Sequence, residues 1–321
     1  MGKFVRLEGE DKSYIGTLPR DRSIPELLRT SVVCLDKPHN RTTHQTTQGV
    51  KKILGVKKVG HGGQLEPVMS GLVVVLLEDA CKITRFIIQG DREYVFRLQF
   101  SREVPRERLE RAFAKFTGKI KQVPPLRSKT RRVLRTKFVE SIEILDARPR
   151  WAKVKVICES GTYLRKLFYD MTRLLRANVS LSHIRRTRSG NLTIQQAVTF
   201  GELSKAYQAY KNEGNEEPLR SILIPMEETI FQKKIYLTDA SIPKICSGRP
   251  VFIDNIVAFD DEIEAEEVVA MFSLNEELVA IGKTICSGET MKTLEDGVVA
   301  YPIRVVMPHH LFRQNNNHVE T

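Results

Sequence analysis

The spacing of apolar residues along the first 230 positions alternates between the periods of strands and of helices. Unbroken or alternating apolar runs predict five strands, at 31–35, 72–77, 91–100, 138–144 and 152–158. Apolar residues three and four positions apart predict three helices, from Thr42 or Thr43 to about Leu54, over 106–116 and over 161–176. The segment 211–220, rich in lysine, asparagine, glycine and glutamate, is typical of a loop.

The pattern changes beyond Ile230. Short strand-like runs there alternate with turn signals such as Ser247-Gly248-Arg249-Pro250, which predicts a compact β-barrel of about 80 residues. We therefore divide the chain into a polar, partly ordered arm (1–30), a large domain (31–230), a small β-barrel domain (231–309) and a disordered tail (310–321).

Positive charge is concentrated in two short segments. The chain has a net charge of +12, and between Lys115 and Lys137 it carries nine basic residues and no acidic one. Arg185, Arg186 and Arg188 form a second cluster. A solvated basic surface would explain one cluster alone, but two clusters and the overall excess together predict a polyanionic partner, RNA or DNA.

Several other classes of function are not indicated by the sequence. It has no run of 18 apolar residues that would predict a membrane span, and its N-terminal residues lack the apolar core of a secretory signal. The five cysteines form no C-x-x-C pair and the seven histidines show no ligand spacing, so neither a zinc site nor a disulfide framework is expected. Motifs of phosphate-binding loops and serine hydrolases are absent.

One glycine-rich loop carries a single carboxylate and precedes a strongly apolar strand. It runs from Gly60 to Gly71 and contains Glu66 followed by Pro67. Taken alone, a glutamate before a proline is typical of a solvated turn. Four further motifs accompany this loop in chain order: Asp36-Lys37-Pro38, Gly90-Asp91-Arg92-Glu93-Tyr94, Cys158-Glu159-Ser160-Gly161-Thr162-Tyr163-Leu164-Arg165 and Ile184-Arg185-Arg186-Thr187-Arg188-Ser189-Gly190.

This ordered set resembles the RNA pseudouridine synthases of the TruB type. Two further segments resemble the H/ACA-guided branch that includes dyskerin and its archaeal counterparts: Val123-Pro124-Pro125-Leu126 with Arg131-Arg132-Val133-Leu134-Arg135, and Glu217-Pro218-Leu219-Arg220 with Pro225-Met226-Glu227. The resemblance extends from about Pro19 to Pro308, and the C-terminal barrel is similar to a PUA domain. It implies an α+β fold, in which a mixed β-sheet with helices forms the catalytic domain at 31–230 and the PUA barrel at 231–309 binds RNA.

By the same resemblance, Glu66 is the carboxylate that attacks the ribose of a flipped-out uridine or assists departure of its uracil. Tyr94 would stack on the base, and Arg165 would form the ion pair that orients the carboxylate. Taken singly, Tyr94 would be interpreted as a core residue and Arg165 as half of a surface ion pair. No cofactor or metal is implied.

The resemblance also implies residues that bind RNA. The expected substrate-binding residues are His61, Ile184 and Lys37, although Ile184 taken alone would be interpreted as a core residue. The expected contacts to the RNA backbone come from the two basic clusters: Arg127, Lys129, Arg131, Arg132, Arg135, Arg185, Arg186 and Arg188.

The loop departs from the family pattern Gly-His-Ser-Gly-Thr-Leu-Asp-Pro at Gly62, Gln64 and Glu66. The extra methylene of glutamate displaces the carboxylate on the order of 1 Å, and a misplacement of that size can lower a rate by about 100-fold. Glycine at position 62 would loosen the loop and let its backbone retract in compensation. The three changes fit equally well with a chain that no longer needs catalysis.

Three hypotheses therefore stand. The chain is the catalytic subunit of an H/ACA-type RNA–protein complex that modifies rRNA or tRNA, with small H/ACA proteins as partners. Alternatively, it is an RNA-binding scaffold without catalysis, or a guide-independent enzyme acting on the T-loop of tRNA. The expected location is the cytoplasm for an archaeal source and the nucleus or nucleolus for a eukaryotic one. The absence of long basic tails favours an archaeal or compact-genome source.

Overall fold

A computed structural model describes residues 2–7, 16–124 and 131–307. These residues contain nine α-helices: α1 (Ile24–Thr30), α2 (Thr43–Leu54), α3 (Thr84–Ile87), α4 (Arg106–Phe116), α5 (Leu164–Leu175), α6 (Phe200–Glu213), α7 (Glu217–Ile222), α8 (Ile242–Cys246) and α9 (Gly288–Thr293). No described helix has the length and apolar character that crossing a bilayer requires.

The same residues contain seventeen β-strands: β1 (Lys3–Val5), β2 (Ser31–Lys37), β3 (Val59–His61), β4 (Ser70–Leu77), β5 (Arg92–Phe100), β6 (Gly118–Gln122), β7 (Arg135–Arg148), β8 (Trp151–Cys158), β9 (Val179–Ser189), β10 (Leu192–Thr193), β11 (Ile224–Pro225), β12 (Lys234–Leu237), β13 (Val251–Phe252), β14 (Ile256–Asp260), β15 (Val268–Phe272), β16 (Leu278–Thr284) and β17 (Val298–Val305).

The five predicted strands and three predicted helices are confirmed as β2, β4, β5, β7 and β8 and as α2, α4 and α5. The limits of α2 follow from residues that cap helices. Thr42 Oγ1 accepts a hydrogen bond from the Gln45 N–H at 3.0 Å, and Gly55 ends the helix at φ 66°. The loop predicted at 211–220 is shorter than expected. Helix α6 continues to Glu213 and α7 begins at Glu217.

The larger sheet has the strand order β11-β2-β4-β9-β5-β8-β7-β6, with β3 beside β4 and β10 beside β9. Strands β4 and β9 are parallel, whereas the pairs from β9 through β5, β8 and β7 to β6 are antiparallel. Phe168 of α5 packs edge-on against Phe96 of β5, with ring centroids 5.0 Å apart, and against Phe113 of α4 at 6.2 Å. Helices α4 and α5 therefore pack together over the core of this sheet, and the expected α+β fold with a mixed sheet is confirmed.

Three neighbouring strands of this sheet bring distant motifs into one row. Gly71 of β4 pairs with Arg186 of β9, and Arg186 pairs with Tyr94 of β5. Because neighbouring strands of a sheet lie about 5 Å apart, the end of the Gly60–Gly71 loop, the second basic cluster and the predicted base-stacking tyrosine lie close together.

The smaller sheet has the strand order β1-β14-β12-β15-β16-β17-β13. Strands β12 and β15 are parallel and the other neighbours are antiparallel. Its core is apolar and includes the fully buried Phe259, Met271 and Val299. The predicted C-terminal β domain is therefore present, with one strand, β1, contributed from the other end of the chain.

The described residues form two compact units, and their limits differ from those predicted. One unit comprises Val33–Leu76 and Thr84–Ile222, and the other comprises the described parts of Met1–Val32, Leu77–Ile83 and Leu223–Thr321. The residues assigned to a separate arm thus belong to the unit of the smaller sheet. Within α1, Ile24 and Leu27 are buried, which ties this segment to a core. The tail predicted at 310–321 lies outside the described residues.

A buried charged cluster lies within the second unit. The Arg22 guanidinium donates to both carboxylate oxygens of Glu227, at 2.9 and 3.2 Å, and lies 3.6 Å from a carboxylate oxygen of Glu277. All three side chains are about nine-tenths buried. Burial raises the pKa of Glu277, although the positive charge of Arg22 acts in the opposite direction.

Candidate active site

The loop of Gly60–Gly71 turns tightly at its carboxylate. The Met69 N–H donates to the Glu66 carbonyl oxygen at 3.0 Å and closes a four-residue turn with Pro67 at its second position. Before the turn, Leu65 is buried, and its N–H and carbonyl oxygen both bond to the Thr43 hydroxyl at 2.9 Å. The turn therefore exposes the Glu66 side chain, 51% of which is accessible, from a backbone that is anchored in the core.

Lys37 anchors the same turn from strand β2. Its ammonium group donates to the carbonyl oxygens of Pro38, Arg41 and Pro67, at 2.9, 2.6 and 3.2 Å. The side chain is fully buried, and this burial, followed by the positive charge of Arg186, lowers its pKa. Lys37 was expected to bind substrate, but here it positions the loop.

Two buried guanidinium groups hold the first half of the loop. Arg186 donates from Nε to the Leu72 carbonyl oxygen at 2.7 Å and from Nη2 to that of Gly63 at 3.1 Å. Arg92 donates to the Gly62 carbonyl oxygen at 2.8 Å. Burial, followed by the charge of Arg186, lowers the pKa of Arg92 to about 10, so Arg92 stays protonated at neutral pH. The expectation that Arg186 contacts RNA is therefore corrected, because its side chain is enclosed by protein.

Two glycines of the loop are required by close packing. At Gly71, φ is 100° and an added Cβ would overlap the backbone of Arg186 on the paired strand. The Gly62 N–H donates to the Val74 carbonyl oxygen at 2.8 Å, and an added Cβ would lie 2.8 Å from Ile87 Cγ2. The expectation that Gly62 loosens the loop is wrong, since this glycine allows the loop to pack tightly.

Arg165 lies beside the carboxylate, as the resemblance predicts. Its Nη2 lies 3.0 Å from Glu66 Oε2, and the two side chains are 55% and 51% exposed. Arg165 is the second residue of α5, and Gln122 fixes the start of that helix by accepting from the Tyr163 N–H at 3.0 Å and donating to its carbonyl oxygen at 3.2 Å. The ion pair is confirmed as a contact, and its role in catalysis stays a prediction.

The other predicted substrate-binding residues occupy different environments. Tyr94 of β5 is partly buried, and its backbone pairs with Arg186 of β9. Burial, followed by the charge of Arg186, holds the pKa of His61 below its ordinary value, so the ring is neutral at pH 7. Its Nδ1 has no hydrogen-bond partner among the described residues. Ile184 is buried, as expected of a core residue, and it follows His183, whose φ is positive. The contact of Ile184 with a base stays a prediction.

The remaining members of the basic clusters differ in their surroundings. Arg185 forms a bidentate ion pair with Asp36, at 2.9 and 2.7 Å, and Arg188 donates to the Gly190 carbonyl oxygen at 3.1 Å. The predicted residues at the start of β7 and just before it are exposed and available to a polyanion: Arg131, Arg132 and Arg135. Arg127 and Lys129 lie outside the described residues.

The sequence analysis assigned no role in the site to three residues that build it: Thr43, Arg92 and Gln122. One of them carried a readable signal, because Arg92 occupies the same alternate positions of its strand as the buried Phe96 and Leu98. A charged residue in that register indicates a buried, partnered side chain. Thr43 and Gln122 bond to backbone far away in sequence, which spacing along the chain does not reveal.

Family models match most of the chain. Residues 51–164 match the TruB family pseudouridylate synthase N-terminal domain, residues 165–230 the tRNA pseudouridylate synthase B C-terminal domain and residues 233–306 the PUA domain. The chain is 36% identical over 306 residues to the probable tRNA pseudouridine synthase B of Pyrobaculum calidifontis, covering 95% of this chain and 92% of that protein. It is 37% identical over 299 residues to the protein of the same name from Korarchaeum cryptofilum, covering 92% of each.

Solved structures are similar over nearly the full length. A chain in the crystal structure of a Cbf5-Nop10-Gar1 complex has a TM-score of 0.92 at 31% identity, covering 97% of this chain and 95% of that one. A chain in the structure of an H/ACA RNP bound to a substrate RNA containing 2′-deoxyuridine has a TM-score of 0.89 at 29% identity, covering 97% and 96%.

Proposed function

The chain belongs to the TruB family of pseudouridylate synthases, and from this premise we propose that it isomerises uridine to pseudouridine in RNA. The observation that carries the proposal is the contact between Glu66 and Arg165. A planar guanidinium group favours one orientation of a neighbouring carboxylate, and the loop that carries Glu66 is fixed by buried side chains on β2, α2, β5 and β9.

The reaction needs no atoms beyond those of the nucleotide. The bond between uracil N1 and ribose C1′ breaks, the uracil turns, and its C5 bonds to C1′ while the C5 proton leaves and N1 gains a proton. Glu66 is the group placed to attack C1′ or to assist departure of the uracil. Tyr94 is proposed to support the base, because its backbone pairs with Arg186, which in turn pairs with Gly71 at the end of the loop.

The Glu66 carboxylate is exposed enough for a nucleotide to reach it from solvent. A uridine within a folded RNA must leave its stack before its glycosidic bond can be reached. Half of the Glu66 side chain is exposed, whereas the backbone on either side of it is anchored. A flipped nucleotide therefore meets the carboxylate without displacing the loop.

For the RNA substrate and the partners, we propose an H/ACA-type complex in which a guide RNA selects the uridine and small proteins complete the particle. Two similar structures support this proposal, namely the Cbf5-Nop10-Gar1 complex and the H/ACA RNP with bound substrate RNA. A guide-independent tRNA enzyme is the second candidate. The names of the archaeal relatives, which refer to tRNA pseudouridine synthase B, favour that alternative.

The central test measures pseudouridine by mass spectrometry after the purified protein is incubated with substrate RNA, a matching guide RNA and the small H/ACA proteins. We expect product with the wild-type protein and none with Glu66→Gln, because the amide is isosteric but carries no charge. A wild type without product, together with product from Glu66→Asp, would show that the loop supports chemistry only with the shorter acid and that this chain is a scaffold.

The choice of RNA is tested with the same measurement. We expect modification of an rRNA fragment only when a matching guide RNA and the small H/ACA proteins are added. Modification of a bare tRNA transcript without guide would favour the second candidate, and a tRNA with its T-loop uridine replaced by cytidine is the matched control.

A further inference from the structure

Helix α5 continues outward from the candidate active site as a basic, aromatic surface. Arg165, which contacts Glu66, is followed at four-residue intervals by Tyr169 and Arg173, and Arg176 caps the helix. Residues four apart lie on the same side of a helix, and all four side chains are exposed. We call these four residues the α5 stripe. From Arg165 to Arg176, eleven rises of about 1.5 Å extend it about 16 Å along the helix axis.

The composition of the α5 stripe is not explained by the fold. Tyr169 is 68% exposed, the highest value among the large apolar residues of the described chain. Lys166 lies beside it and pairs with Asp170. No carboxylate in the described ranges lies within ion-pair distance of Arg173 or Arg176. An exposed ring followed along the helix by two guanidinium groups that pair with no carboxylate of the described residues suits a partner that has both flat apolar faces and negative charge.

The neighbouring helix α4 also carries exposed basic residues, Arg111 and Lys115 among them, but it has no exposed aromatic residue. Helix α4 packs beside α5 through Phe113, but its exposed side has mixed charge, with Arg106 paired to Glu110 at 2.8 Å and Glu107 next to them. Both helices bury an apolar face against the same core. A solvated face needs no excess of one charge, so the α5 stripe differs from what folding alone requires.

We propose that the α5 stripe binds the single-stranded RNA that flanks the target uridine, with one base stacked on Tyr169 and phosphates contacted by Arg173 and Arg176. The proposal rests on the proposed function, because it places the flanking strand next to the Glu66–Arg165 pair. Every base has a flat face, so stacking on Tyr169 tolerates any sequence. This suits a surface that holds the strand while specificity comes from elsewhere.

The test measures binding of a fluorescein-labelled single-stranded RNA of about twelve nucleotides by fluorescence anisotropy. We expect Tyr169→Ala to weaken binding about 5- to 150-fold, the range for loss of one stacked base, and Tyr169→Phe to bind like the wild type. Each of Arg173→Gln and Arg176→Gln should lower the slope of log affinity against log salt by about 0.7, the value for one phosphate of a single strand.

The matched control is Arg111→Gln, which neutralises an exposed arginine on α4 and should leave both affinity and salt slope unchanged. Tyr169→Ala with wild-type affinity, or no binding of this RNA by the wild type, would overturn the proposal. An equal loss of affinity in Arg111→Gln and Arg173→Gln would also overturn the proposal, since RNA binding would then depend on exposed arginines in general and not on those of α5.

Failure of this inference is separable from failure of the proposed function. Pseudouridine formation by the wild type, with unchanged RNA binding in all α5 variants, would reject the α5 stripe alone. Weakened binding in those variants without any pseudouridine from the wild type would reject catalysis and keep the stripe as an RNA-binding surface.

Discussion

Glu66 and Arg165 attract each other only weakly, because both side chains are about half exposed and such a pair stabilises by about 0–1 kcal/mol. The position of the carboxylate is therefore set by its backbone. The Thr43 hydroxyl bonds to both backbone polar groups of Leu65, and Lys37 bonds to the Pro67 carbonyl oxygen. These contacts fix the peptide units on both sides of Glu66.

This arrangement predicts the effect of Thr43→Val. The buried polar groups of Leu65 would lose their partner, the turn would shift, and the single-turnover rate should fall about 10- to 100-fold. RNA affinity should stay within about two-fold, since Thr43 is buried. The control is Thr47→Val on the same helix, whose hydroxyl donates only within α2, to the His44 carbonyl oxygen. Equal rate losses in both variants would show that α2, and not the Leu65 contact, is what matters.

The orientation of the carboxylate predicts a second outcome. Arg165→Lys keeps a positive charge but replaces the planar guanidinium group with a flexible point charge. We expect a lower turnover rate with unchanged affinity for the RNA, measured in single-turnover reactions. A rate equal to the wild type would show that charge alone suffices and that orientation by Arg165 is not needed.

At the scale of elements, the contact between β4 and β9 depends on Gly71, because an added Cβ would overlap the backbone of Arg186. Gly71→Ala should therefore destabilise the unit by at least about 2 kcal/mol, through both its positive φ and the overlap. Urea unfolding followed through Trp151, the single tryptophan, measures this change. Gly201→Ala on α6 is the control and should be neutral or slightly stabilising, since its Cβ meets no atom closer than 3.8 Å.

Elements with a regular apolar period could be predicted from sequence, and those without one could not. Helix α4 was predicted at its observed limits because Leu109, Ala112 and Phe113 form its buried face. Strand β9 was missed because Arg186, a core residue there, carries a charge that pattern reasoning assigns to the surface. In α1, the capping box of Ser23 and Glu26 was a readable start signal that the surrounding polar residues obscured.

The candidate site, too, could be predicted from sequence only in part. The family motifs led to Glu66, Tyr94 and Arg165, and the structure brings the first and last into contact. The motifs do not separate basic residues that face solvent from those that support the loop. Lys37 was expected to bind substrate and Arg186 to contact RNA, but the side chains of both donate to backbone carbonyl oxygens of this protein. Only the tertiary fold determines which role a lysine or arginine takes.

At the scale of the whole molecule, the unit that contains the smaller sheet depends on the buried Arg22. Removing one partner of a buried ion pair leaves an uncompensated charge, so Arg22→Ala should destabilise this unit by about 3–5 kcal/mol. The control is Arg20→Ala, which removes a more exposed partner of Glu228 and should cost at most about 1 kcal/mol. Hydrogen exchange of the amides in β12 and β14 measures both effects, and equal losses would contradict the buried-pair explanation.

The same cluster predicts how stability depends on pH. Burial raises the pKa of Glu277 above its ordinary 4.5, so the folded unit binds this proton more tightly than the unfolded chain does. The free energy of unfolding should therefore increase as pH falls from neutral toward 4.5. Glu277→Gln should be more stable than the wild type at neutral pH and lose that advantage near pH 4.5. A difference that does not change with pH would exclude the titration of Glu277 as the cause.

Lys37, Arg92 and Arg186 place three positive charges beneath one turn, and in the described ranges none is within ion-pair distance of a carboxylate. Hydrogen bonds to carbonyl oxygens satisfy the N–H donors of these three side chains but do not cancel their positive charge. A positive electric field therefore extends outward from the Gly60–Gly71 loop. A polyanion diffusing nearby would be drawn to that spot before any side chain touches it. The encounter rate should consequently fall with ionic strength even in a chain whose surface arginines have all been neutralised.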